Sequence, residues 1–193
     1  ASIQEARLNR VEVDVRSTFS KKQGTNITKK KNILGKNTIR GISFTKNDAK
    51  LTLVGVKDKP GVAASIFKPL FENSIDVDMV VQNISAGGKE TDLTFTIKLE
   101  DLSKTRKLVE NNKEISFKNL IVNNNVSKVS IVGVGMITTP GITFRMFKAL
   151  AKKKINIEVI STSEIKISVL INKKNLKKSV EILHQEFKLS SSL

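Results

Sequence analysis

Two proline–glycine turns carry the residues in this sequence best suited to binding a small charged molecule. Pro60-Gly61 and Pro140-Gly141 each follow a short apolar stretch and precede a segment of helical periodicity. A helix that begins at such a turn presents free backbone N–H groups, and these groups and the helix dipole attract a carboxylate. Glycine also lets a ligand approach the backbone closely. The turns therefore predict sites for an anionic group.

A carboxylate follows each turn at a matched position, Asp78 after the first and Glu158 after the second. Either acid could meet an ammonium group, so that turn and acid together would bind a small zwitterion. The alternative is that each glycine only permits the turn and each acid is solvated. The spacing alone leaves both interpretations open.

The two turns belong to an internal repeat. The matched segments are 54–56 with 132–134, 60–61 with 140–141 after a two-residue insertion, and 75–78 with 155–158. Phe67 and Leu70 likewise match Phe147 and Leu150. Matches of this density predict two copies of one structural unit, starting near Lys50 and Lys128.

The hydrophobic pattern of the first repeat predicts the order βαββαβ, the ferredoxin-like arrangement of the α+β class. Alternation of Leu93, Phe95 and Ile97 with polar residues indicates a strand with one wet face. The predicted elements are strand 51–56, a helix opened by residues 60–61 and ended near 73, strands 75–85 and 91–99, a helix capped by Asp101 or Ser103 and running to 109, and strand 119–122.

The second repeat follows the same order but runs out before its fourth strand. Its predicted elements are strand 128–134, helix 141–153, strands 155–161 and 165–171, and helix 174–187. A missing strand would leave an unpaired edge. We expect residues 38–44 to fill it, so that the first repeat is inserted within the second. The predicted domains are 50–126, and 38–49 plus 127–189, with a tail at 190–193.

The first 37 residues lack an obvious core. Residues 11–16 alternate as a strand, residues 21–24 are turn-like, and the polar stretch 29–37 follows. We expect residues 1–37 to be extended or poorly ordered and to form the C-terminal end of a preceding part of the protein.

Composition narrows the possible functions. The 193 residues contain no Cys and a single His, which excludes disulfides and cysteine-ligated zinc and disfavours histidine-based chemistry. No Gly-rich phosphate loop is present. No apolar run approaches the ~18 residues of a membrane helix, and no signal pattern opens the chain. We therefore expect a cytoplasmic protein with no membrane partner.

The net charge of +16 raises a competing hypothesis, a basic nucleic-acid-binding protein on a ferredoxin-like scaffold. Most of the cations are lysines, Trp and Tyr are absent, and the nine Phe mostly fall within apolar patterns and are expected to be buried. Readers of nucleic acid favour Arg and exposed aromatic platforms. The pattern therefore favours solvated lysine faces over a nucleic-acid surface.

Four segments carry a family resemblance: VGVKDKPGVAASIF, IDVDMVVQNIS, KVSIVGVGM and INIEVISTSEIKISVLI. Residues 38–189 resemble the paired regulatory ACT domains at the C-terminus of bacterial aspartate kinase. Residues 1–28 resemble the last helix and strand of its kinase domain. The resemblance implies a regulatory fragment or subunit of an enzyme that phosphorylates L-aspartate with ATP.

The resemblance also implies partners. We expect L-lysine, L-threonine or both as ligands, a homodimer formed through the ACT domains, and contact with the kinase catalytic domain or subunit. ATP and Mg²⁺ would belong to that catalytic part. The chain itself is expected to bind no metal or cofactor and to be inactive alone.

The resemblance implies two effector pockets. The residues of a threonine-type pocket are Asp58, Gly61, Ala63, Gln82, Asn156 and Ile157. The residues of a lysine-type pocket are Asp78, Met136, Thr143, Ser161, Ser163 and Glu164. Helix-start N–H groups would hold the ligand carboxylate, Gln82 or Asn156 its α-ammonium, and Asp78 or Glu164 the side-chain ammonium of lysine.

Overall fold

The computed structural model describes residues 6, 9, 11–16, 18–19, 24–27, 39–84, 89–133, 139 and 141–189. Contacts divide the chain into two units, residues 1–37 and 38–193. In the first unit, strands β1 (Val13–Val15) and β2 (Thr25–Ile27) pair antiparallel. The strand predicted over 11–16 is therefore present in shorter form. The predicted turn lies outside the described residues, apart from Gly24.

The second unit contains six strands and four α-helices among its described residues. Their bounds are β3 Ile39–Lys57, α1 Val62–Glu72, β4 Val77–Ile84, β5 Glu90–Lys98, α2 Leu102–Glu110, β6 Asn119–Gly133, α3 Ile142–Lys152, β7 Ile157–Thr162, β8 Lys166–Asn172 and α4 Leu176–Glu186. One 3₁₀ turn precedes α2 and another precedes α4. The element order predicted for both repeats is thus observed, with the ends of the helices and of the other strands shifted by a few residues and the strands within β3 and β6 joined.

The six strands form one antiparallel sheet in the order β4-β5-β3-β6-β8-β7. The start of β3 pairs with the second-repeat part of β6, with Ile42 opposite Ile131 and Phe44 opposite Val129. The strand upstream of the first repeat therefore supplies the fourth strand of the second. This pairing confirms that the first ferredoxin-like repeat is inserted within the second.

The two central strands are longer than predicted. Residues 38–44 and 51–56 were expected as separate strands, as were 119–122 and 128–134, but each pair is one continuous strand of 19 or 15 residues. The polar stretches between them resemble loops in sequence. They stay extended because β3 and β6 bond to each other, with register shifts around Asp48.

Each repeat has its own core between two helices and one face of the sheet. In the first repeat, Leu51, Phe95 and Leu70 are fully buried. In the second repeat, Ile131, Met146 and Leu150 are fully buried. Burial of this apolar surface is the main force holding helices on the sheet.

A third and smaller cluster joins the repeats on the sheet face that carries no helices. Met79 of β4 packs there with Val126 and Leu170, and Val159 of β7 packs against them. Because β4 and β7 are opposite edges of the sheet, this contact requires the sheet to curl. We call this contact between β4 and β7–β8 the seam.

Helix α1 contains a proline, Pro69, within the span over which the sequence predicts the helix. Proline has no N–H, so the carbonyl of Ser65 lacks its helical donor. The side-chain Nδ2 of Asn112 donates to that carbonyl at 3.1 Å. The helix therefore continues through the proline, because the segment that follows α2 supplies the hydrogen bond that the Ser65 carbonyl would otherwise lack.

The phenylalanines are less buried than expected. Phe95 and Phe187 are buried, but Phe71 is 83% exposed, and Phe19, Phe44 and Phe144 are also exposed. The expectation that the Phe side chains are buried is therefore wrong for these four, and Phe71 and Phe144 lie on exposed faces of α1 and α3. Within the described ranges, no helix has the length and apolar character needed to cross a membrane.

Candidate functional site

Glycine begins the first helix of each repeat. Gly61 and Gly141 occupy the N-cap positions of α1 and α3, both with φ of 89°. This left-handed conformation strains any residue with a Cβ, although a Cβ at either glycine would meet nothing within 4 Å. The backbone therefore favours glycine, and the space above it is open. Pro60 lies before the helix, not within its first turn.

Four of the threonine-type residues lie at one end of the first repeat. Asp58 is exposed in the loop after β3, and its N–H donates to the Lys89 carbonyl at 3.0 Å. Gly61 and Ala63 follow at the start of α1. Strands β3 and β4 both run antiparallel to β5, so their C-terminal ends lie at the same end of the sheet. Gln82, near the end of β4, is therefore close to the loop that follows β3.

Asn156 and Ile157 come from the second repeat. Asn156 is exposed just before β7, and Ile157 is half-buried at the first position of that strand. Ile157 also packs against the second-repeat core. The structure therefore separates the threonine-type residues into a group at the start of α1 and the end of β4, and a pair at the start of β7.

A pocket of about 220 Å³ lies at the seam, between segments of β4 and β7. Its lining residues are Val81, Asn83, Thr94, Ile157, Glu158, Val159 and Ile160. Gln82 lies between two lining residues of β4, and side chains alternate along a strand, so Gln82 faces the other side. Of the predicted threonine-type residues, Ile157 alone lines this pocket.

Four of the six lysine-type residues lie in the second repeat, away from Asp78 in the first. Thr143, near the start of α3, is exposed, as are Ser161 on β7 and Ser163 and Glu164 in the connection to β8. The hydroxyl and N–H of Ser163 both donate to the Lys166 carbonyl, at 3.2 and 2.8 Å. Met136 lies outside the described residues. Asp78 lies elsewhere, on β4 at the seam.

Asp78 and Glu158 both pair with a lysine of the opposite repeat. Lys50 of the first repeat contacts Glu158 of the second at 2.5 Å, and Lys128 of the second contacts Asp78 of the first. The Asn123 side chain also donates to the Glu158 carboxylate, at 3.2 and 3.3 Å. The seam therefore holds two reciprocal ion pairs related by the repeat.

The sequence interpretation missed these two lysines as partners of the acids. A signal was present, because Lys50 and Lys128 begin the two repeats at matched positions and the acids are matched as well. What the sequence does not show is the curl that brings β4 against β7 and β8. In the described part of the chain, no three acidic or histidine side chains cluster in a way that could hold a metal ion.

The ACT-domain family model matches residues 51–112 and 129–187. The matched ranges cover both repeats, including each glycine turn, each seam acid and the helices over the sheet. The chain therefore belongs to the ACT-domain family.

The curated relatives of this chain are aspartate kinases. An aspartate kinase of Pseudomonas putida is 42% identical over 192 residues, which cover 98% of this chain and 46% of the relative. An aspartokinase of Corynebacterium efficiens is 38% identical over 192 residues, covering 97% and 46%. The chain thus spans less than half the length of these curated relatives.

Solved structures agree. The regulatory subunit of aspartate kinase from Thermus thermophilus, in a ligand-free form, is 35% identical with a TM-score of 0.72, over 78% of this chain and 99% of that one. A crystal structure of aspartokinase alpha and beta subunits gives 38% identity, the same TM-score and the same coverage. The two repeats are the regulatory tandem ACT domains of an aspartate kinase. The comparisons do not favour the nucleic-acid hypothesis.

Proposed function

We propose that this chain is the amino-acid-sensing part of a cytoplasmic aspartate kinase and binds end-product L-lysine, L-threonine or both. Bound ligand lowers the rate at which the enzyme transfers phosphate from ATP to L-aspartate. The supporting observation is the pair of glycine-initiated helices at φ 89°, each open above its glycine, in tandem ACT domains of this family.

Each group of the ligand has a chemically suitable partner. Backbone N–H groups at the start of α1, at Gly61 and Ala63, hold the ligand carboxylate. Gln82 or Asn156 accepts the α-ammonium. For lysine, Asp78 or Glu164 pairs with the side-chain ammonium.

The assembly completes these sites. In one chain, the residues of each proposed pocket lie on separate parts of the two repeats. Association of two chains through their ACT domains would bring the second-repeat residues of one chain to the first-repeat residues of the other. ATP, Mg²⁺ and the reacting groups lie in the catalytic part of the enzyme, so this chain needs no cofactor and has no kinase activity alone.

Inhibition is a population shift. A ligand that bridges two units favours one arrangement of the ACT pair, and that arrangement holds the catalytic part in a less active state. The ligand must bind this arrangement more tightly, since equal affinity for both shifts nothing. A coupling free energy of about 1–3 kcal/mol would change activity roughly 5- to 150-fold.

Calorimetric titration of the chain with L-lysine, L-threonine and their mixture tests the proposal. We expect saturable heat with at least one L-amino acid and none with the D-enantiomer. A ligand at 100 times its Kd should raise the free energy of unfolding by about 2.7 kcal/mol. Absence of both heat and stabilisation with every ligand would overturn the proposal.

A further inference from the structure

We propose that Lys128 is an internal competitor of the ligand at Asp78, and that its ammonium sets how tightly lysine binds. This inference rests on the proposed function, because it concerns Asp78, one of the two acids assigned to the side-chain ammonium of lysine. The group that occupies Asp78 in the structure is itself a lysine ammonium. The protein therefore offers its own copy of the ligand group to the same carboxylate.

The backbone of Lys128 is fixed in the sheet, whereas its ammonium lies at the end of a flexible stem. Lys128 lies in the middle of the β-ladder, paired with Thr45 on one side and Leu170 on the other, and its N–H donates to Asp48 at 3.2 Å. Its stem is a flexible chain with three rotatable donors at the end. The ammonium can thus leave Asp78 without moving β6.

A ligand ammonium can reach the Asp78 carboxylate from solvent. Its side chain is 46% exposed, whereas that of Lys128 is 14% exposed. Lys128 therefore approaches from the protein side and leaves part of the carboxylate facing solvent. A free lysine can reach the exposed side and replace one ammonium by another, so that the exchange changes no charge at Asp78 and leaves its carboxylate paired.

In the matched pair of the other repeat, the acid is more buried. The side chains of Lys50 and Glu158 are each 18% exposed, and Asn123 donates to the same carboxylate. Glu158 is not among the residues assigned to a ligand. The internal repeat thus supplies a control, because Lys50 is the same residue type at the equivalent position and its partner acid is more buried than Asp78.

Calorimetric titration of L-lysine into wild type, Lys128→Met, Lys128→Arg and Lys50→Met tests the inference. Lys128→Met keeps an unbranched stem and removes the ammonium, so we expect the Kd for lysine to fall about two- to fivefold, the typical strength of an exposed ion pair. Lys128→Arg keeps a cation on Asp78 and should give no gain. Lys50→Met removes one charge elsewhere in the seam and should give no gain either.

A second ligand separates the ammonium from the rest of lysine. Norleucine lacks the side-chain ammonium, so its affinity should be equal in wild type and Lys128→Met. Circular dichroism confirms that each variant is folded. If Lys50→Met does not fold, Lys118→Met replaces it, since Lys118 forms an exposed pair with Glu90 at 2.5 Å.

The outcomes distinguish this inference from the proposed function. Lysine binding to wild type with an unchanged or weaker affinity in Lys128→Met would overturn the inference and leave the proposed function in place. An equal gain in Lys50→Met would also overturn it, because the effect would then be one of net charge. Threonine binding without any lysine binding in wild type and Lys128→Met would leave a threonine sensor and overturn the inference. Absence of heat with either amino acid would overturn both.

Discussion

The two repeats have nearly the same backbone but different polar contacts. After α1, Asn73 and Ser74 end the helix with φ of −101° and 56°, and the equivalent residues after α3, Lys153 and Lys154, have −103° and 56°. The next residue is a buried isoleucine in both repeats. Only the conformation is shared at these positions, since the side chains differ in size and charge. The comparison shows that the shared apolar pattern, and not the polar side chains of the turn, determines the backbone here.

Polar groups at equivalent positions have diverged. The hydroxyls of Thr105 in α2 and Ser179 in α4 are both fully buried, but Ser179 donates to the Asn175 carbonyl at 2.9 Å, whereas Thr105 has no partner. The seam acids differ in burial, since the Glu158 side chain is 18% exposed and that of Asp78 is 46% exposed. The contacts that could tune function are therefore where the repeats differ.

The largest effect should come from the equivalent core leucines, both fully buried. Leu70→Ala and Leu150→Ala should each lower the free energy of unfolding by about 2–5 kcal/mol, through lost burial and a cavity. Because β3 and β6 run through both repeats, each variant should still unfold in one transition. Urea titration followed by far-ultraviolet circular dichroism measures both, since the chain has no Trp or Tyr.

Phe71→Ala is the control for these leucines, because its exposed ring should make the change worth less than about 0.5 kcal/mol. Two separate transitions in either leucine variant would show that the repeats unfold independently. The similarity of backbone would then not extend to shared stability.

Replacing the helix-start glycines should have a smaller effect, equal in the two repeats. Gly61→Ala and Gly141→Ala should each cost about 1–2 kcal/mol, because the cost is that of a left-handed conformation and not of a clash. Gly41→Ala is the control, since Gly41 lies in a strand with open space around it. Urea titration should show no loss of stability for Gly41→Ala; unequal costs at Gly61 and Gly141 would break the equivalence of the turns.

The seam pairs should differ in strength. A double-mutant cycle with Lys50→Met and Glu158→Gln should give a coupling free energy of about 1–2 kcal/mol, since the pair is largely enclosed. The cycle with Lys128→Met and Asp78→Asn should give less than about 1 kcal/mol. Repeating both in 1 M NaCl should reduce mainly the second. Equal couplings would show that the difference in burial between the two acids does not affect the strength of the pairs.

The buried hydroxyls should give the smallest effects, of opposite sign. Thr105→Val removes an unpaired buried hydroxyl at nearly constant shape and should raise the free energy of unfolding by up to about 1 kcal/mol. Ser179→Ala removes a hydrogen bond and should lower it by about 0.5–1 kcal/mol. Thermal melts compare the two, and a loss of stability in both variants would mean that the Thr105 hydroxyl has a partner.

Much of the fold could be predicted because local periodicity and the internal repeat specify it. The missing fourth strand of the second repeat pointed directly to residues 38–44. The merging of strands could not be predicted in the same way, since residues 45–50 and 123–127 are polar and have the composition of a turn. Their extended conformation depends on pairing with each other over a long sequence distance.

The candidate site could be predicted only in part. The glycine conformation follows from a turn before a helix, and the equivalence of Asp78 and Glu158 follows from the repeat. Their partners depend on the curl of the whole sheet, which no local pattern encodes. The predicted effector residues stay a prediction, and the seam lysines are an addition that came from the structure.

The shared central strands have a consequence for protein engineering. No single cut along this chain can release the second repeat intact, because its sheet borrows a strand encoded some 80 residues before its own beginning. A circularly permuted gene, with residues 39–45 joined behind residue 189 by a short linker, would restore that strand in order. The tandem therefore consists of two domains that share strands, and not of two independent domains joined by a linker.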